Sequence, residues 1–338
     1  MREILGELAA LSGPSGFEAG VAARAAALLR PFVDEVSVDP MGNVFGVRRC
    51  GKENAKKLLL DAHLDEIGLV VTAVEEGFLR FRTIGGVDPR MLPARELTIL
   101  TDPPLYGVVA CLPPHVQSAA DHDASVPIPE LCIDVGLTQA EAEARIPIGT
   151  PAVYRGGAFA LGEHRLCGKS MDDRACFTTL LRAAELLKGR DLPVDLWIMG
   201  STREEVGGMG AVVGTYGVAP DCCVAVDVTH GLTPDAPKTK TLKLGEGASI
   251  GVGPNMTRWM THRMIMLAKE REIRYHLEVM EGHTGTNGWE MQITREGIAT
   301  SVISLPLRYM HTPVEVLDLR DVEAVAALLA AFAETLTE

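Results

Sequence analysis

Two of the histidines and a series of acids fall where buried strands are expected to end, and together they suit one kind of chemistry. "LLLDAHLDEIG" sets His63 and Asp65 two residues apart, on one face of a strand. "GKSMDDRAC" puts Asp172 and Asp173 where a helix begins. "TREEVG" follows the apolar run "LWIMG" with Glu204 and Glu205, "VAVDVTH" ends a strand on Asp227, and "LRYMHTPVE" follows one with His311. In α/β sheets, ligands collect beyond the carboxyl ends of the strands. Histidine, aspartate and glutamate without cysteine suit zinc or a similar divalent ion acting as a catalyst. Each residue alone has an ordinary alternative. Asp172 or Asp173 would cap a helix, His63 would be a satisfied core histidine, Asp227 a turn cap, and the glutamates a solvated loop. The grouping argues against those alternatives, because so many carboxylates packed together repel unless cations hold them.

Glu204 and Glu205 pose their own problem. Adjacent side chains on a strand point to opposite faces. Both acids serve one site only if the strand has ended and the "VGG" turn re-aims the backbone.

The elements that must position these residues follow from periodicity. "MREILGELAALSG" has Ile4, Leu8 and Leu11 at helical spacing, and a second helix carries Val21, Ala25, Leu28 and Phe32 on one face. "EVSVDPMGNVFGV" reads as strand, turn, strand. Between about 69 and 161 short strands ("LVVTAV", "FLRFRTI", "ELTIL", "YGVVACL") alternate with Pro, Gly and Asp turns, with "TQAEAEAR" as the one helical pattern. This reads as a small β-rich domain inserted in the chain. From about 165 helices and buried strands alternate: "DDRACFTTLLRAAELLK", "VDLWIMGS", "DCCVAVDV", "MTRWMTHRMIMLAKE", "RYHLEV", "TSVISL" and "LRDVEAVAALLAAFAETL". Alternation of that kind implies a sheet covered on both faces. The expected architecture is an α/β domain made from both ends of the chain, 1–68 and 162–338, with a β-rich insertion over 69–161.

Composition narrows the partners. A chain of 338 residues, 47% hydrophobic and 23% charged, buries a sizeable core. The net charge of -13 argues against nucleic acid and anionic membrane as main partners, since both need positive patches. Glu3 and Glu7 break the apolar core a signal peptide would need, and "AVAALLAAFA" is too short to span a bilayer. Seven scattered cysteines with no CxxC fit reduced thiols in the cytoplasm.

From "SGPSGFE" through "GGVDPRMLPAREL", "CLPPHVQS", "IDVGLTQAEAEARIPIGTPAVY" and "GKSMDDRAC" to "RYMHTPVEVLD", the chain resembles the co-catalytic metalloaminopeptidases that include the tetrahedral TET aminopeptidases and glutamyl aminopeptidase. Some members of that group were labelled cellulase M or endoglucanase. The resemblance implies a phosphorylase/hydrolase-like zinc-peptidase domain with a mixed central sheet and a barrel-like inserted dimerisation domain. It also implies two adjacent divalent ions per subunit, with zinc expected and cobalt or manganese acceptable to the same ligands. His63, Asp172 and Asp227 would hold one, and Asp172, Glu205 and His311 the other, with Asp172 bridging. Asp65 would orient and polarise His63, and Glu204 would be the general base. Asp173 is expected to cap the helix or pair with Arg174. The implied activity is release of N-terminal residues from short peptides. The implied assembly is a dimer built into a tetrahedral dodecamer, with the insertion as the assembly surface.

Some positions depart from the family. "TGTNG" puts Asn287 and Gly288 where Asp and Ala are common, and Arg203 stands where Gln is common. A cation at 203 would depress the pKa of Glu204 or favour acidic substrates; the alternative is a side chain in solvent. Arg203, Asn287 and Gly253, the last in the "GVGPNM" loop, are the candidate substrate contacts, while Met209 and Met256 are expected to pack and His283 to sit in a loop. Two other functions remain open at this stage. A glycoside hydrolase also uses paired carboxylates, but the chain is only 5% aromatic and its acids are matched by histidines. A non-catalytic scaffold would not need every ligand and the base in place.

Overall fold

The computed structural model describes residues 1–116 and 125–336; Gln117 and Ser118, the end of "CLPPHVQS", lie outside the described residues. The central sheet has eight strands in the order Glu35–Val38, Val44–Arg48, Asp195–Ser201, Lys57–His63, Cys222–His230, Ala299–Leu307, Ala248–Val252 and Tyr275–Val279. The four strands from Asp195–Ser201 to Ala299–Leu307 run parallel to one another, while the joins on either side of that block are antiparallel. The sheet is therefore mixed, and the parallel block is its buried middle. Residues on Lys57–His63 alternate as the pleat requires. Leu58 and Leu60 enter the main core, and Leu59 enters a second core on the opposite face.

Helix Met171–Leu187 is buried nearly all round, because it lies between the sheet and the C-terminal helix Leu319–Thr335. Phe177, Leu180 and Leu329 are fully buried in that layer. The burial takes polar residues with it, Asp172, Asp173, Arg174, Thr178 and Thr179 among them, so the first turn opens into the interior.

Six strands close into a barrel in the order Gly68–Glu75, Phe78–Ile84, Cys132–Asp134, Leu105–Ala110, Glu96–Ile99 and Pro151–Tyr154. Closure removes the open edges that a small sheet would leave. Leu69, Val71, Leu79, Phe81, Leu97, Ile99 and Ile133 fill it with a core separate from that of the main sheet. The helical pattern "TQAEAEAR" is helix Gln139–Arg145, started by a reciprocal cap between Thr138 and Glu141. Phe159–Leu161, read above as the end of the insertion, instead pairs with Arg165–Gly168 in a three-stranded sheet with Glu315–Asp318. That small sheet leads the chain directly into Lys169 and the helix carrying Asp172. Among the described residues no helix is long and apolar enough to cross a membrane, and all seven cysteines are free.

Candidate metal centre

His63 is the last residue of its strand and is buried. Its Nδ1 faces the main-chain carbonyl of Asp65 at 3.1 Å and Asp65 Oδ1 at 3.4 Å. Its Nε2 stands 3.0 Å from Asp172 Oδ1 and 3.9 Å from Glu204 Oε2. Asp65, fully buried, accepts from Ser15 Oγ at 2.6 Å and from the main-chain N–H groups of Glu204 and Glu205 at 3.1 and 3.2 Å. One carboxylate thus faces the imidazole and anchors the turn that carries both glutamates. The strand ends at Ser201, Arg203 takes φ 58°, and Gly207 and Gly208 close back on Glu204 and Arg203. That turn lets two neighbouring acids face one cavity, which a regular strand forbids.

Asp172 lies between the two histidines. Its Oδ1 faces His63, and its Oδ2 is 3.2 Å from His311 Nε2. His311 Nε2 is also 3.3 Å from Glu205 Oε1. Asp172 and Asp173 have non-helical backbone angles although they open the helix, so neither behaves as an ordinary N-terminal turn residue. His311, at φ 62°, sits in the loop between Ala299–Leu307 and Glu315–Asp318. Two sets of ligand atoms converge within 4.8 Å: His63, Asp172 and Glu205, and His63, Asp173 and Asp227. Imidazole nitrogen with several carboxylate oxygens is the donor set of a divalent cation such as zinc, and the residues present fit such an ion.

The electrostatics carry the same message. Burial raises Asp227, Asp173 and Glu205 above the usual carboxylate range, and neighbouring acids add to it. Burial pushes Glu204 up to about 8, against the pull of His63. Burial works against charging His311, but Asp172 and Glu205 raise it to about 11. Burial would also raise Asp172, yet the two histidines hold it well below its ordinary value. Carboxylates crowded like this are stabilised by positive charge among them.

Asp173 corrects an expectation. It neither caps the helix nor pairs with Arg174. It is fully buried, and its Oδ2 accepts from the His63 main-chain N–H at 3.3 Å. Arg174 turns the other way, to Glu66 Oε1 at 3.1 Å, and Lys169 meets Glu66 Oε2 at 2.7 Å. Arg203 does not stand free in solvent. Its guanidinium lies on Met41 Sδ at 3.3 Å, and the Arg203 main-chain N–H donates to Glu18 Oε1 at 3.1 Å. Asn287 is buried, donating from Nδ2 to Asp61 Oδ2 at 2.8 Å and Ser201 Oγ at 2.9 Å. The amide supplies the donor that Asp61 accepts from, which a carboxylate there would not. Gly288 is equally local: a Cβ would meet Val302 Cγ2 at 2.7 Å. Gly253 packs against the carbonyl of Met280 with no room for a side chain.

Reading by residue type missed Glu315. Fully inside the protein, it accepts from Met171 N–H at 2.7 Å and Asp172 N–H at 3.2 Å through Oε2, and from His311 N–H at 2.8 Å through Oε1. It ties together the two loops that carry Asp172 and His311. Its place four residues after His311 in "HTPVE" was the available signal. Glu66, between Asp65 and the buried cations, was missed in the same way.

The profile of the family described as M42 glutamyl aminopeptidase, which is metal-dependent, matches residues 42–328. The chain is 35% identical to lysyl aminopeptidase of Pyrococcus furiosus over 99% of its own length and 97% of that protein. It superposes on an aminopeptidase from the archaeon Desulfurococcus kamchatkensis with a TM-score of 0.91 and 34% identity, covering 98% of this chain and 94% of that one. It superposes on the TET1 peptidase of Pyrococcus horikoshii with a TM-score of 0.86 and 28% identity, covering 99% of each; that peptidase can assemble into a tetrahedron or a large octahedral shell. A few similar structures carry an endoglucanase name, and the aminopeptidase likenesses outweigh them.

Proposed function

The chain belongs to the M42 glutamyl aminopeptidase family of peptide hydrolases, and from that premise we propose that it releases N-terminal residues from short peptides at a centre of two divalent ions. The ligands in this reading are His63, Asp172, Glu205, Asp227 and His311, with zinc as the ion and cobalt or manganese as alternatives. The observation that carries it is Asp172, one carboxylate with an oxygen turned to each of two histidines. When bound, such ions supply Lewis acidity toward the scissile carbonyl and toward water. Glu204 takes the water's proton and delivers it to the leaving amine. It lies 3.9 Å from His63 Nε2, at the edge of the ligand cluster, where it can reach a water held at the centre. Asp65 acts through others: it orients His63 and holds the Glu204 and Glu205 main chain.

The inserted barrel, the part of 69–161 that ends at strand Pro151–Tyr154, is proposed as the oligomerisation domain, building dimers and, by analogy with the TET1 peptidase, a larger closed shell. Arg203, Gly253 and Asn287, the candidate substrate contacts, enter this reading through what they pack on, Met41, Met280 and Asp61, rather than as charges on the substrate. Free cysteines agree with a cytoplasmic setting.

The test is a panel of aminoacyl chromogenic substrates on metal-stripped protein, reconstituted with zinc, cobalt or manganese in turn. Activity is expected to vanish on stripping and return with the ion; full activity in stripped protein would refute the reading. Glu204→Gln is expected to lower kcat by about 10²–10⁴-fold while the bound metal is kept.

A further inference from the structure

We propose that the inserted barrel is a working part of the metal centre, because the Gly85–Gly86 turn at its rim sets the ring of His311. This rests on the reading of His311 as a ligand. The turn directly follows barrel strand Phe78–Ile84. The Gly86 carbonyl lies 3.0 Å from His311 Nδ1. A carbonyl only accepts, so in the neutral ring that an ion would bind Nδ1 carries the proton and the lone pair is left on Nε2, the nitrogen that faces Asp172 and Glu205. His63 is arranged alike, but its Nδ1 faces Asp65, a neighbour on the same segment.

The turn also excludes side chains. A Cβ on Gly86 would lie 2.8 Å from His311 Nδ1 and 3.0 Å from Cε1. A Cβ on Gly85, at φ 74°, would lie 3.1 Å from Glu205 Oε2 and 3.2 Å from Glu205 Cβ. Two glycines thus let the barrel's main chain come against both residues of one half of the centre. Glu315 holds the His311 main chain but not its ring, so the ring's direction depends on the barrel. Gly86 is a positioning residue, and any shift of the barrel against the α/β layer is transmitted to His311.

Zinc titration of stripped full-length protein tests this. Gly86→Ala is expected to weaken the second equivalent by about 10–100-fold, leave the first at wild-type affinity and leave the metal-free melting temperature unchanged. Gly156→Ala, where a Cβ meets nothing within 4 Å, is expected to leave both equivalents alone. His311→Ala separates the two readings. If it loses the second equivalent while Gly86→Ala binds both ions as the wild type does, the barrel's role is refuted and the site stands. If His311→Ala keeps both, the site reading itself falls. Should Gly86→Ala not fold, the double variant Gly86→Ala/His311→Ala decides. With the imidazole gone it is expected to fold; a double variant that also fails puts the fault in the barrel and overturns the proposal.

Discussion

The two histidines reach one carboxylate by different routes. His63 ends a central parallel strand with a side chain 2% exposed, and its supports, Asp65 and the Asp173 carboxylate, lie inside the same layer. His311 sits in a loop at a left-handed φ with a side chain 31% exposed, and its supports come from Glu315 and the barrel rim. One half of the centre is an extension of the core. The other is assembled where separate parts of the chain meet. Mutations near His63 should therefore act on turnover and folding together, and mutations near His311 on ion binding with a smaller effect on folding.

Asp65→Ala attacks the core half at its nexus. It is expected to reduce kcat by about 10²–10⁴-fold, because the base loses its anchored turn, and steady-state kinetics with saturating zinc would measure it. Glu66→Ala leaves Lys169 and Arg174 buried without their acid. It should cost about 3–5 kcal/mol of stability, seen as a lowered melting temperature in metal-free protein. Glu315→Gln attacks the assembled half, because an amide group cannot accept from N–H groups on both sides. The second zinc equivalent should weaken about 10–100-fold, detected by calorimetric titration, with a loss of about 1–3 kcal/mol for the N–H left without an acceptor, smaller than that of Glu66→Ala. Equal effects of the Glu66 and Glu315 variants on folding would break the contrast between the halves.

Smaller effects sharpen it. Burial raises Asp61 from 3.8 to about 6, against the hydrogen bonds of Ser201 and Asn287. The folded chain therefore holds a proton there that the unfolded chain has released. The stability this contributes is complete below pH about 4 and is lost as pH rises through about 6. Asp61→Asn should flatten that slope in urea unfolding measured from pH 4 to 7. Arg203→Gln should change kcat/KM for acidic and neutral N-terminal residues by less than about threefold, since the guanidinium rests on Met41.

Residues that bear their chemistry in a side chain were legible. His63 and Asp65 announce themselves by spacing at a strand end, and the Glu204–Glu205 pair by its conflict with strand geometry. The strands "LVVTAV", "FLRFRTI", "ELTIL" and "YGVVACL" appear as barrel strands, because period-two alternation reports a half-buried sheet. Cys132–Asp134 and Pro151–Tyr154, which close the barrel, were too short to read from pattern. Glu315 was hidden because its work is to accept from main-chain N–H groups, which any residue supplies. Gly86 was hidden more deeply, since its contribution is a carbonyl and a missing Cβ. Asp61 and Asn287 are each ambiguous alone and explain one another only when the fold brings them together.

The central claim is that Asp172 joins two half-sites into one centre. Zinc titration of stripped wild-type protein beside Asp172→Ala tests it most directly. The wild type should take up two equivalents per chain, and the variant should weaken both. A variant that keeps one equivalent at wild-type affinity, or a wild type that binds only one, would contradict it.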